Sequence, residues 1–78
     1  MYWKVKSVEP QKDYLLLLSF EDGERRLFDM KPYLHIGIFQ ALQNPKTFNS
    51  VKICASSIAW DNNADIDPEL LYTKGVKI

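Results

Sequence analysis

The feature that most constrains the fold is a mostly apolar stretch over residues 14–20 that leads into an Asp-Gly pair. A run of this length makes a poor isolated helix but a strand of ordinary length. Asp22-Gly23 between two apolar runs is the strongest short-range signal of a β-hairpin, because glycine adopts a positive φ without steric cost. The sequence therefore predicts a hairpin whose second strand covers residues 25–30.

Two registers are compatible with this hairpin. A two-residue loop pairs Leu18 with Leu27, whereas a three-residue loop with a bulge at Gly23 pairs Leu16 with Phe28. We favour the three-residue loop, because it leaves Asp29 on the face opposite to most of the apolar side chains. The apolar face then consists of Tyr14, Leu16, Leu18, Phe28 and Met30.

The preferred register also gives the sheet a second apolar face, formed by Leu15, Leu17 and Leu27. A strand that is buried on one side ordinarily carries polar residues on the other. We therefore expect both faces to be covered, the first by helix and the second by another subunit.

The two ends of the chain predict one strand and one helix. The first strand begins at Trp3 and ends near Glu9, and it lies at a sheet edge because Pro10 cannot donate to a ladder. The last helix is capped by Asp67 and ends near Gly75.

The middle of the chain predicts a short helix and a second hairpin. The helix covers residues 37–42 and ends before Asn44-Pro45, because a residue that precedes proline avoids helical geometry. The hairpin joins residues 51–53 to residues 58–60 through a turn at Ser56-Ser57. The predicted fold class is α+β, a small two-layer domain with a mostly antiparallel sheet in the order β-β-β-α-β-β-α, formed by residues 1–78 as a single domain.

Charge and composition argue against several classes of function. Ten basic and ten acidic side chains cancel, whereas nucleic-acid binders usually carry a basic face. Cys54 is the only cysteine, which fits a reducing compartment. The longest apolar run covers residues 15–18, far below the roughly 20 residues that cross a bilayer. We expect a cytoplasmic protein with no signal peptide, no membrane segment and no direct contact with nucleic acid.

Carboxylates and amides are concentrated in an acidic loop, residues 60–67, which begins at Trp60 and ends at Asp67. Counted from Asp61, an EF-hand requires glycine at the sixth position and a bidentate glutamate at the twelfth. These positions hold Ile66 and Tyr72. The calcium motif therefore fails at its two most demanding positions, although a different cation site stays an alternative.

Turn formation and helix capping explain the same residues without a ligand. Asp67 can cap the last helix, and Glu69 complements the helix dipole, together worth about 1–2 kcal/mol. Asn62 and Asn63 tolerate left-handed geometry and bond to nearby backbone. We interpret the acidic loop as a device that organises backbone.

The sequence offers no catalytic set. His35 is the only histidine, and neither a nucleophile nor an orienting acid accompanies it in sequence, so we expect an ordinary surface histidine. Cys54 lies in a predicted strand, and we expect an inert apolar filler there. We therefore predict that the protein is not an enzyme and has no catalytic residue, no metal ligand and no cofactor.

Interface candidates are the apolar second face of the sheet, the polar groups of the acidic loop, and the tyrosines near the two ends of the chain, because tyrosine is favoured at interfaces. The predicted interaction surface consists of Tyr2, Leu15, Leu17, Leu27, Asp61, Asn62, Asp65 and Tyr72.

One group of motifs has a counterpart in a known family. Trp60, Asn62, the run Ala64-Asp65-Ile66-Asp67-Pro68-Glu69, and Leu71-Tyr72 carry most of it, with weaker support from the Asp-Gly hairpin. In these residues the chain resembles a bacterial family known as domain of unknown function 2442, over almost its whole length. Asn63 stands where that family usually has glycine, and Asp61 replaces a frequent proline.

The resemblance implies a small α+β fold and no established activity. Some members of the family resemble the amino-terminal part of helix-turn-helix proteins, and others are encoded beside a second small protein in an arrangement similar to toxin–antitoxin pairs. We expect a non-enzymatic protein-interaction module, an antitoxin-like member of a two-protein system, which binds a protein partner or forms a homo-oligomer. The alternatives are a small-ligand or cation-binding domain that uses the acidic loop, and an accessory part of a transcription regulator that acts through a partner.

Overall fold

The computed structural model describes residues 3–78. The fold is α+β and antiparallel, as predicted. The strands are β1 (Val5–Gln11), β2 (Leu15–Phe20), β3 (Arg25–Asp29), β4 (Lys52–Cys54), β5 (Ser57–Ala59), β6 (Asp65–Ile66) and β7 (Val76–Lys77). The α-helices are α1 (Pro45–Phe48) and α2 (Pro68–Lys74), and 3-10 helices cover Lys12–Tyr14, Lys31–Tyr33 and Gly37–Gln43.

The larger sheet has the strand order β1-β2-β3-β7. Its central hairpin pairs Leu16 with Phe28 and Leu17 with Leu27, which confirms the three-residue loop. The Phe20 amide donates to the Glu24 carbonyl at 2.9 Å, and Gly23 has a φ of 90°. Glycine is therefore needed at this bulge because its backbone is left-handed.

The first strand differs from the prediction at both ends. It runs from Val5 to Gln11 and includes Pro10, which lies opposite Leu16. The sheet tolerates this proline because β1 is an edge strand, as predicted, and only one side of it must donate. The register shifts between Val5 and Ser7, so the strand contains an irregularity near its start.

The smaller sheet has the order β4-β5-β6 and contains the predicted second hairpin. Ser57 pairs with Cys54, and its hydroxyl donates to the Ile66 carbonyl. The turn therefore lies at Ala55-Ser56 and the prediction of Ser56-Ser57 is wrong by one residue. Ala55 takes a φ of 55° there.

The helical segments follow their capping residues. The predicted short helix is a 3-10 helix that ends at Gln43, and a further helix, α1, begins at Pro45. Asn44 caps α1 by accepting a hydrogen bond from the Lys46 amide at 3.0 Å, so the Asn-Pro pair both ends one helix and starts the next. Among residues 3–78, no helix is long and apolar enough to cross a membrane.

The core lies between the inner face of the larger sheet, the smaller sheet and the helices. Leu16, Leu18 and Phe28 contribute from the sheet, Phe48 from α1 and Leu71 from α2. Trp60 also belongs to this core, as do Val5, Phe20, Met30, Leu34, Leu42, Ile58, Ala64 and Ile66.

Gly75 ends α2 where the chain passes close to β3. A Cβ atom at this position would lie 2.6 Å from the Leu71 carbonyl oxygen and 3.0 Å from the Arg26 Cβ. Gly75→Ala is therefore expected to lower the free energy of unfolding by about 1–3 kcal/mol through overpacking. Urea denaturation monitored by circular dichroism measures this loss, and an unchanged midpoint would show that the contact is relaxed in solution.

Candidate functional site

The acidic loop is anchored at its start by Trp60. The indole is 1% exposed, and its Nε1–H donates to the Phe48 carbonyl at 3.0 Å. The Trp60 backbone exchanges hydrogen bonds with its own loop, since its amide donates to Ala64 O and its carbonyl accepts from Asn63 N, each at 3.0 Å. Asn63 takes the left-handed conformation with a φ of 70°, which asparagine tolerates where glycine would be ideal.

One amide side chain and one carboxylate of the loop are bound to backbone. The Asn62 Oδ1 accepts from the Ala64 amide at 3.1 Å, and its Nδ2 donates to the Ile38 carbonyl at 3.1 Å. The Asp67 Oδ1 accepts from the Glu69 amide at 2.9 Å. The prediction that these side chains turn the chain and cap α2 is confirmed.

The other two carboxylates of the loop are exposed. Asp61 lies 3.7 Å from the Lys52 ammonium, and both side chains are more than half exposed, so this pair contributes little. Asp65 lies on β6 opposite Ala59. Within the part of the chain that the structure describes, no three His, Cys, Asp or Glu side chains are grouped to hold a metal ion.

This geometry gives a direct prediction for the loop. Asp67→Ala is expected to cost about 1 kcal/mol of stability, since it removes the cap of α2, whereas Asp61→Asn should change stability by less than about 0.5 kcal/mol. Thermal unfolding of both variants, with and without Ca²⁺, Mg²⁺, Mn²⁺ or Zn²⁺, measures the effect. A cation-dependent rise in the wild-type midpoint that Asp61→Asn abolishes would contradict the assignment, because a ligand that binds the native state raises its stability.

The two residues considered for catalysis lie on the surface. His35 is exposed, and its carbonyl accepts from the Gln40 side chain at 3.2 Å, which agrees with the expected surface histidine. Cys54 is also exposed, so the prediction of an apolar filler is wrong. The reason is that every residue of β4 is exposed, so neither face of this short strand is covered by the core.

Tyr72 is held by contacts within the chain. Its ring packs edge-on against Phe20 at 4.9 Å and lies under the Arg26 guanidinium at 4.3 Å. Its hydroxyl donates to the Asp22 Oδ2 at 3.0 Å. Partial desolvation, with the hydrogen bond to Asp22 as a second cause, raises the pKa of the Tyr72 hydroxyl above its usual value.

The larger sheet presents a second apolar surface on the side away from the core. We call it the outer face and define it by Leu15, Leu17, Leu27 and Val76. Leu17 pairs with Leu27, and Leu27 pairs with Val76, so three of the four side chains form one row across the sheet. The leucines are only half-buried, and Val76 is 69% exposed.

The outer face is separate from the core. None of its four side chains belongs to the core cluster or to the partly buried apolar residues that pack against that cluster. The predicted second apolar face is therefore present, although what covers it stays a prediction.

The structure groups the predicted interface residues only in part. Leu15, Leu17 and Leu27 lie together on the outer face, whereas the polar candidates belong to the acidic loop and the smaller sheet. Tyr72 packs with Phe20 and Arg26, and Tyr2 lies outside the described residues. The sequence reading missed Val76, because a two-residue strand carries no alternation that could reveal it.

The comparison with known families agrees with the resemblance seen in the sequence. The profile of the family described as "Protein of unknown function (DUF2442)" matches residues 5–77. No curated protein and no solved structure shows significant similarity to the chain. The match spans nearly the whole sequence, and the chain therefore belongs to the DUF2442 family.

Proposed function

We propose that this chain is a non-enzymatic protein-interaction module that binds another protein through its outer face. The observation that carries the proposal is the row Leu17–Leu27–Val76, which is apolar and lies outside the core. Apolar patches with polar rims mark interaction sites on small soluble proteins. The acidic loop supports the proposal indirectly, because two of its polar side chains, Asn62 and Asp67, are used to shape the backbone.

The rim of the outer face has the polar character that such a surface requires. Glu9 lies beside Leu17, and Gln11 lies beside Leu15. Arg25 and Asp29 lie at the two ends of β3, both exposed. A partner would therefore bury an apolar centre and meet charged groups around it, which is the usual anatomy of a protein interface.

Membership of the family supports a more specific form of the proposal. We propose that the partner is the product of the gene beside the one that encodes this chain, with the chain acting as the antitoxin-like member of a cytoplasmic two-protein system. The balanced charge of the chain, with ten basic and ten acidic side chains, favours a protein partner over direct contact with nucleic acid.

Co-expression with the neighbouring gene product tests this function. We expect the two proteins to elute as one complex in size-exclusion chromatography with light scattering, and the double variant Leu17→Lys/Leu27→Lys to lose it. The matched control is Asp61→Asn/Asp65→Asn, which alters the acidic loop and should retain the complex. A complex that survives the outer-face variant but not the loop variant would reverse the assignment, and no complex at all would overturn the proposed partner.

A further inference from the structure

We propose that the outer face binds a second copy of this chain, forming a symmetric dimer in which the two larger sheets pack face to face with their strands antiparallel. The inference rests on the proposed function, since both place the interface on the outer face. It goes beyond that function by giving the same face a further occupant, another copy of this chain, and the register in which the two copies pack.

Strand β3 carries opposite charges on the two sides of Leu27, Arg25 before it and Asp29 after it. Side chains alternate along a strand, so Arg25, Leu27 and Asp29 project from the outer face, while Arg26 and Phe28 project towards the core side. Leu27 lies midway between the basic and the acidic residue. Each is two residues from it, or about 7 Å along the strand.

A two-fold axis that lies in the interface and crosses the strands at Leu27 reverses the strand direction of the second sheet. That operation keeps Leu17 and Leu27 near their counterparts and places Arg25 of one copy against Asp29 of the other. The same contact occurs twice, as required of an interface that uses one patch on both subunits. The face is therefore complementary to itself in charge, with its apolar centre facing its own copy.

The contacts made within one chain leave both charges able to pair. Among residues 3–78 the Arg25 side chain makes no ion pair and no side-chain hydrogen bond. Asp29 accepts a hydrogen bond from the Lys31 amide at 2.9 Å and lies 3.2 Å from its ammonium, with both side chains about half exposed. A carboxylate has about four lone-pair sites, so this contact leaves capacity for a guanidinium from another copy.

The rim of the face is compatible with this arrangement. Glu9 lies at the β1 end of the Leu17–Leu27 row. The same two-fold axis therefore places Glu9 of one copy on the same side of the interface as Glu9 of the other. Stacked sheets cross at about 30°, which separates the outer strands and leaves these carboxylates in water. Leu15 lies two residues before Leu17 on β2, on the same face, and pairs with Asp29. It therefore extends the apolar centre.

The size of the face sets the expected strength of the dimer. Strands β1, β2 and β3 are about six residues long and about 4.8 Å apart, and with the two-residue β7 beside them they cover at most roughly 15 by 20 Å. Two such faces bury less than the roughly 1,200 Å² of a standard interface. We therefore expect a weak dimer, with a dissociation constant on the order of 10–100 μM.

Charge reversal provides a test that only a symmetric pairing passes. Arg25→Asp places like charges at both contacts of the dimer, and Asp29→Lys does the same with the opposite sign. Each variant alone should dissociate at least about tenfold more readily than the wild type. An equimolar mixture of the two variants restores an opposite pair at both contacts, so it should form a one-to-one heterodimer within about threefold of the wild-type affinity.

Sedimentation equilibrium between about 5 μM and 1 mM covers the expected range of dissociation constants. Lys52→Asp and Asp61→Lys are the matched controls, since they make the same charge changes in the smaller sheet and the acidic loop and should leave self-association unchanged. Circular dichroism verifies that every variant is folded, which matters for Asp29→Lys because it removes the bond to the Lys31 amide.

Three results would overturn the dimer: a wild-type chain that is monomeric at the highest concentration, single variants that associate as the wild type does, or a mixture that stays monomeric. A monomeric wild type that still forms a complex with the neighbouring gene product, lost in Leu17→Lys/Leu27→Lys, would end this inference and leave the proposed function standing. If the chain neither self-associates nor forms that complex, both the dimer and the proposed function are overturned.

Discussion

Replacing Trp60 by alanine is expected to lower the free energy of unfolding by about 3–5 kcal/mol, a large share of the stability of so small a domain. The indole is 1% exposed and packs edge-on against Phe39 at 6.3 Å. Its loss would leave a cavity in the core and would also remove the hydrogen bond to Phe48 that ties the acidic loop to α1.

Urea denaturation monitored by circular dichroism measures this loss, and Trp60→Phe separates its two causes. Phenylalanine keeps most of the apolar volume but cannot donate to the Phe48 carbonyl, so it should cost about 1–3 kcal/mol. If Trp60→Ala costs less than about 1 kcal/mol, the indole does not anchor the core as described.

Leu16→Ala and Leu17→Ala are expected to differ sharply although the two residues are neighbours on β2. Leu16 is fully buried in the core, so its truncation should cost about 2–5 kcal/mol of stability. Leu17 is half-buried on the outer face and packs against no part of the core cluster. Its truncation should cost less than about 1 kcal/mol for the isolated chain.

The same pair of variants should differ in the opposite sense when association is measured. Under conditions where both are folded, Leu17→Ala should weaken binding, and Leu16→Ala should not. Chemical denaturation at low protein concentration gives the stabilities, and light scattering at high concentration gives the association. Equal losses of stability would show that the outer face is buried by the chain itself.

Much of the fold could be read from local signals in the sequence. The Asp-Gly pair and the apolar runs on either side of it determined both the hairpin and its three-residue loop, because only that register separates Asp29 from the buried face. The cap at Asp67 and the proline that follows it determined the start of α2. These features depend on a few neighbouring residues, so one sequence is enough to predict them.

The features that the sequence did not reveal depend on contacts between distant segments. β6 and β7 each contain two residues, too few for any periodicity, and they exist because Ile58 and Leu27 offer them a partner strand. Helix α1 was not predicted because an Asn-Pro pair can end one helix or cap the start of another, and here Asn44-Pro45 does both. The exposure of Cys54 likewise depends on distant packing, since neither face of β4 is covered by the core.

The sequence predicted only part of the candidate surface, because the rest depends on contacts between distant segments. Leu15, Leu17 and Leu27 could be grouped from alternation once the hairpin register was chosen. The structure adds Val76 to this face through the pairing of β7 with β3. It also shows that Arg25 and Asp29 lie at equal distances on either side of Leu27 in the paired strand. Asp61, Asn62 and Asp65 were grouped with the interface because they are polar and close in sequence, but they belong to the acidic loop and the smaller sheet.

The central claim is that the outer face, and not the acidic loop, carries the function. The most direct test is a series of ¹H–¹⁵N spectra of the full chain from about 20 μM to 1 mM, a range that spans weak self-association, repeated with an excess of Ca²⁺. We predict that the amide signals of residues 15, 17, 27 and 76 shift with concentration and that those of residues 60–67 do not respond to the cation. Saturable shifts of the loop amides on adding Ca²⁺, with outer-face signals that stay fixed at every concentration, would contradict the account.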